Sequence, residues 1–214
     1  AGKTTVFNCL TGFYQPTAGK VVFSGEEIQN LSGYKIARKG MIRTFQHVRL
    51  FKEMTVLENL LVAQHQHLNN GLLAGLFKTP SYRKAEQEAL DNAVYWLKKV
   101  RLIDDANREA GTLAYGQQRR LEIARCMVTR PSLLMLDEPA AGLNPSETLE
   151  LKQLILDLRD NHAISVLLIE HDMKLVMEIS DHIVVINQGT PLASGTAEQV
   201  RNNPAVIKAY LGEE

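Results

Sequence analysis

An α/β fold with a parallel sheet and a long helical insertion is what this chain predicts, and three observations carry the prediction. Residues 133–138 read Leu-Leu-Met-Leu-Asp-Glu, with Pro139 next. An apolar run ending in two acids looks like a buried parallel strand that delivers carboxylates to the sheet rim, where open α/β sheets bind ligands. Strand-like and helix-like segments then alternate over 133–137, 146–160, 164–169, 173–180 and 183–187, which argues for parallel pairing. Residues from about 48 to 126 lack β-branched runs and read as helical.

The chain opens Ala1-Gly2-Lys3-Thr4-Thr5, the back half of the phosphate loop G-x-x-x-x-G-K-[ST]. Gly2 lets backbone N–H groups approach a phosphate closely. Lys3 supplies a point charge to the β/γ-phosphates, and the Thr4 hydroxyl can ligate Mg²⁺. The helix starting there aims its positive end at a nucleotide. The first glycine of the loop and the strand expected before it are absent from this sequence. The chain therefore reads as a fragment of a longer one, with fewer N–H donors for the phosphates.

Residues 4–11 should form the first helix, with Val6, Phe7 and Leu10 toward the sheet. Gly12 ends it, and Pro16 and Gly19 mark a turn. Residues 20–23 are β-like, and residues 41–45 form a short strand delivering Gln46. Thr55, with Glu58 three residues on, makes a capping box. Ala85, Ala89, Ala93, Leu97 and Val100 form one helical stripe. A turn and short strand over 189–195 and a helical tail over 196–211 close the chain.

At the end of the 133–138 strand, Asp137 is placed to bind a hydrated Mg²⁺ and Glu138 to orient or deprotonate a water. The plainer alternative is a strand capped by two solvated acids. Three further segments weigh against that alternative. They are Thr44-Phe45-Gln46, Leu113-Ala114-Tyr115-Gly116-Gln117, and Ile169-Glu170-His171-Asp172 after the run Ser165–Leu168. With these in order, the chain resembles the ATP-binding cassette family, the motor subunits of membrane transporters, over nearly its whole length. Gln46 matches the Q-loop, residues 113–117 the signature motif, Asp137 and Glu138 the Walker B pair, and His171 the switch histidine.

The resemblance implies a P-loop NTPase (RecA-like) core with an antiparallel β patch and an inserted helical subdomain. It divides the chain into 1–47 and 127–214 for the core and 48–126 for the helical lobe. It implies ATP and Mg²⁺ as cofactors. Gly2, Lys3, Thr4 and Thr5 would bind nucleotide on one subunit, while Ala114, Gly116 and Gln117 close over it from a second, identical or different, ATPase subunit. Thr4, Gln46 and Asp137 would hold the metal, and Glu138, His171 and Gln46 would act in hydrolysis. Further implied partners are integral permease subunits and, indirectly, a periplasmic binding protein, with the chain peripheral on the cytoplasmic face of the inner membrane. The permease would dock beside the Q-loop, on Val48, Leu50, Phe51 and Met54 next to Arg49 and Lys52.

The sequence departs from the family pattern twice. Ala114 and Tyr115 stand where a serine and a glycine are usual, which removes a hydroxyl from the γ-phosphate contact. Ala141-Gly142-Leu143-Asn144 replaces the usual Ser-Ala-Leu-Asp of the D-loop. Within the family, Arg43–Gln46, Glu138–Pro145 and the ending Ala209–Glu213 resemble the bacterial branched-chain amino acid importers. Urea importers and the lipopolysaccharide-export ATPase are near alternatives.

Composition limits the remaining readings. The chain has 214 residues, 45% apolar and 22% charged, with 24 basic and 24 acidic side chains. A zero formal charge offers no electrostatic footprint for nucleic acid. No apolar run approaches the roughly 20 residues of a membrane span. Cys9 and Cys126 read as reduced core residues. Gln118, Arg119, Arg120, Glu122 and Arg125 read as a solvated helix face. His65-Gln66-His67 is a poor metal site, because i and i+2 residues leave a helix on different faces. A soluble ATPase acting on DNA or ribosomes would need a coiled coil or a second cassette. A non-catalytic, partner-binding role stays open for a chain with half a phosphate loop.

Overall fold

The computed structural model describes residues 2–64 and 80–211, with side chains to residue 209. Helix α1 (Lys3–Leu10) comes first and buries Phe7. Val6, expected to face the sheet, is instead 44% exposed. Neighbouring helical residues point about 100° apart, and Phe7 takes the inward direction. Strands β1 (Val22–Phe23) and β2 (Glu26–Glu27) form a small antiparallel hairpin. Ser24 and Gly25 both have positive φ at its turn, the geometry that matches the strand twist. Helix α2 (Gly33–Arg38) and strand β3 (Met41–Arg43) follow.

The helical region holds α3 (Val56–Gln64) and α4 (Pro80–Lys99), two short 3₁₀ turns, and α5 (Tyr115–Met127). The Thr55–Glu58 box forms as read: Glu58 accepts the Thr55 N–H at 2.8 Å, and Thr55 accepts the Glu58 N–H at 3.1 Å. The stripe Ala89, Ala93, Leu97 and Val100 is buried. Trp96 packs inside, while Tyr95 stays exposed. His65 and His67 lie outside the described residues.

Strand β4 (Leu133–Asp137) then runs parallel between β3 and β5 (Ser165–Ile169), with α6 (Pro145–His162) crossing between β4 and β5. A central parallel strand is covered on both faces, which is why its sequence is continuously apolar. Its side chains alternate between two cores. Leu134 and Leu136 join Val56, Leu60, Leu97, Leu121 and Leu158. Met135 joins Phe7, Ile28, Ile36 and Met41 on the other side. The hydrophobic core of the helical region is therefore continuous with one face of the sheet.

Helix α7 (Met173–Ile179) leads to β6 (Ile183–Asn187) and β7 (Thr190–Gly195), and α8 (Ala197–Arg201), α9 (Pro204–Val206) and a π turn at Ile207–Leu211 end the described chain. The alternation of elements suggested that β6 extends the parallel sheet. It pairs antiparallel with β7 instead. The two residues between them, Gln188 and Gly189, both have positive φ and fold the chain straight back.

Candidate active site

The carboxyl ends of the three parallel strands bring the expected residues to one rim. Strand β3 leads to Gln46, β4 ends in Asp137 and Glu138, and β5 leads to Glu170 and His171. The α1 N-terminus meets the same rim. Gly2 caps α1 with φ +102°, and a Cβ there would lie 3.1 Å from the Gly189 Cα. Positive φ and this close approach both require glycine.

Four of these residues form one hydrogen-bonded chain. Lys3 Nζ donates to His171 Nδ1 at 3.3 Å, and His171 Nε2 lies 2.7 Å from Glu138 Oε1. Gln46 Nε2 donates to the other carboxylate oxygen of Glu138 at 3.1 Å. An ammonium has only donors and a carboxylate only acceptors, so the imidazole accepts at Nδ1 and donates from Nε2. Glu138 itself sits at φ +48°. A non-glycine residue in that region costs about 1–3 kcal/mol and marks a site held by its surroundings. Its N–H donates to Ile169 O at 2.9 Å, which anchors the turn to β5.

Asp137 is treated differently although it is the adjacent residue. It is 3% exposed, and its Oδ2 accepts from Arg43 Nη2 at 2.6 Å. Arg43 also donates from Nη1 to Asn8 at 2.7 Å, tying β3 to α1. The Asp137 charge is thus paired within the chain. Thr4 and Thr5 are exposed in the first turn of α1.

The donor set suits Mg²⁺, a hard cation that prefers oxygen. Gln46 uses its nitrogen on Glu138, which leaves its amide oxygen as an acceptor, and Thr4 is exposed and carries a hydroxyl. No group of three or more His, Cys, Asp or Glu residues suited to a metal occurs among the described residues.

The signature segment is built separately. Ala114 caps α5, which begins at Tyr115. Gln117 Oε1 accepts the Ala114 N–H at 3.1 Å, and its Nε2 donates to Asp105 at 3.1 Å. Gly116 is buried, and a Cβ there would lie only 2.3 Å from Glu147 Oε1. The Tyr115 ring lies against Gly142, where a Cβ would be 3.2 Å from it. The two departures from the family pattern therefore fit each other, an added ring facing an added glycine. Asn144 caps α6 and accepts the Glu147 N–H at 3.0 Å. No described side-chain hydrogen bond joins Ala114, Gly116 or Gln117 to Lys3, Glu138 or His171.

One sequence expectation is overturned here. Arg119 and Glu122, read as part of a solvated face, are each 1% exposed and pair with one another. On a helix whose inner face meets loop carbonyls, a guanidinium finds inside the acceptors it would otherwise find in water. Sequence reading also passed over Glu170. Its Oε1 accepts the Ala140 N–H at 2.7 Å and its Oε2 the His171 N–H at 3.0 Å, so it ties the turn after β4 to the turn after β5. Its position directly before His171 was the available signal.

Comparison with known proteins gives the family and the fold. The family model described as "ABC transporter" matches residues 1–141. The chain belongs to the ABC transporter family. The model for branched-chain amino acid ATP-binding cassette transporters matches residues 190–214. The chain is 74% identical over 213 residues to the high-affinity branched-chain amino acid transport ATP-binding protein BraF of Pseudomonas aeruginosa. It is 68% identical to the corresponding LivG of Escherichia coli. All of this chain and 84% of each relative are covered. Among solved structures, the ADP conformation of an ATP-binding cassette of an ABC transporter superposes with a TM-score of 0.82 at 33% identity, covering 99% of this chain and 84% of that one. A nucleotide-free cassette superposes with a TM-score of 0.80.

Proposed function

We propose that this cassette binds and hydrolyses ATP in a head-to-tail pair of ATPase subunits and so drives import of branched-chain amino acids. The observation that carries the reading is the chain Lys3–His171–Glu138–Gln46 at the rim of the parallel sheet. Lys3 would exchange its bond to His171 for the β/γ-phosphates. His171, 65% exposed at the side chain, would then bond the γ-phosphate. Glu138 would polarise the attacking water, and Gln46 would report the γ-phosphate to the helical lobe over 48–126. Mg²⁺, when bound by Thr4, Gln46 and Asp137, would neutralise charge on the phosphates. Ala114, Gly116 and Gln117 at the start of α5 would close over the nucleotide of the other subunit, through backbone N–H groups in place of a serine hydroxyl.

Attachment to the membrane would run through a permease, since no described helix is long and apolar enough to cross a bilayer. Phe51 and Met54 are exposed beside the exposed Arg49 and Lys52, which supports that stretch as the docking surface. Leu50 packs against the core and would not take part. The subunit would then sit peripherally on the cytoplasmic face.

The test is the full-length subunit assembled with its membrane partners in vesicles, measuring ATP hydrolysis and leucine uptake together. Glu138→Gln should lower turnover about 10²–10⁴-fold while nucleotide binding persists. Wild-type hydrolysis in that variant would sink the role of Glu138. Urea-stimulated rather than leucine-stimulated turnover would sink the cargo.

A further inference from the structure

The buried ion pair on α5 has no part in the chemistry above. Arg119 and Glu122 lie 2.9 Å apart with side chains 1% exposed. Such a pair is weak evidence for stability, because desolvation offsets the attraction of the charges. What the two side chains hold is more telling. Arg119 donates from Nη1 to Phe45 O at 2.7 Å, and from Nη2 to Gln46 O and to Glu138 O at 3.4 Å. Glu122 accepts the Arg49 N–H at 3.1 Å. The pair therefore grips the chain on both sides of the Q-loop and, with the same guanidinium, the carbonyl of Glu138. A rigid planar fork is suited to holding several carbonyls in fixed positions at once. The Arg119 Nε is left buried without a partner, a cost that mere space-filling would not incur.

We propose that Arg119, held by Glu122, is a positioning residue that sets Gln46 and Glu138 according to where the signature helix sits. The idea rests on the roles given to those two residues under Proposed function. Gly116, which would meet the other subunit's nucleotide, is one helical turn before Arg119 on the same helix. A helix shift on subunit closure would thus move the Glu138 backbone, whose left-handed conformation aims the carboxylate. The effect would be felt in turnover, because misplacing a catalytic group by about 1 Å costs on the order of 10²-fold in rate.

The experiment compares Arg119→Gln, Arg119→Lys, Glu122→Gln and Glu138→Gln in the full-length protein. It reads kcat, KM for ATP, and Kd for a fluorescent ATP analogue. Arg119→Gln should lower kcat about 10- to 100-fold while Kd stays within about threefold. Arg119→Lys, which keeps the charge but loses the fork, should recover only part of that loss. Glu122→Gln keeps an acceptor for Arg49 and should lower kcat a few-fold at unchanged Kd. Wild-type kcat in Arg119→Gln overturns the proposal, and so does a loss of kcat matched by an equal loss of binding. If Arg119→Gln does not fold, Glu122→Gln decides, and unchanged kcat there overturns it. An active Glu138→Gln would instead remove the reading on which the proposal stands. A dead Glu138→Gln beside a normal Arg119→Gln removes the strap alone.

Discussion

The rim of the parallel sheet and the start of α5, proposed above as two phosphate-binding surfaces, are finished to different degrees. At the rim, side chains from α1, β3, β4 and β5 already bond one another across the site. At the start of α5, Gln117 bonds only its own cap and the nearby Asp105, and Tyr115 lies exposed against Gly142. On the reading proposed above, the rim is the half of the site built within one chain, and the start of α5, tied down by local contacts, is the half presented to another subunit. Each chain of a head-to-tail pair would then bring one finished half and one presented half.

The comparison can be broken most forcefully at Arg43, which completes the rim from within. Arg43→Met leaves Asp137 buried and unpaired, and breaking such a pair typically costs about 3–5 kcal/mol. Chemical denaturation of the full-length variant should show that loss together with weakened nucleotide binding. A loss under about 1 kcal/mol would mean that Asp137 needs no internal counterion.

The presented half should respond without loss of fold. Ala114 is exposed at the helix cap, so Ala114→Arg should leave stability within about 0.5 kcal/mol and binding of nucleotide to the monomer intact. ATP-driven dimerisation, followed by size exclusion of the Glu138→Gln background, should be abolished. Ala114→Ser should change little. Normal dimerisation of Ala114→Arg would show that this segment does not face a partner.

The smallest effect concerns the buried end of the same helix. Burial pushes the Cys126 thiol up to about 12, with the Glu122 charge adding to the shift. At pH 8, four units below, about 10⁻⁴ of it is thiolate, the species that alkylates. Iodoacetamide should therefore modify Cys126 only after unfolding, and mass spectrometry of native protein should find it unlabelled. Rapid native labelling would show that α5 opens, and the rigid reading of the presented half would fail.

How legible the site was depends on the kind of residue. Lys3, Gln46, Glu138 and His171 were each recognisable because their chemistry comes with local context: a glycine before, an apolar strand before, a helix after. The structure places all four within one hydrogen-bonded chain. The Thr55–Glu58 cap was of the same local kind. Val6 and β6 were misread because a single turn of helix or a two-residue turn decides direction, and apolarity alone does not encode it.

The residues around those motifs were another matter. Arg43 meets Asp137 across 94 positions of sequence, and Arg119 meets Phe45 across 74. A charged side chain in an isolated sequence is most often solvated, and nothing within a few residues of Arg119 announces the three distant carbonyls it meets. By itself the sequence determined which groups are candidates for the chemistry and most of the segments that become strands and helices, because both follow from neighbours in the chain. Only the tertiary structure decided which charges are buried, what neutralises Asp137, and what fixes the backbone of Glu138. Those are matters of which distant acceptors the packed sheet and helices bring within hydrogen-bond reach.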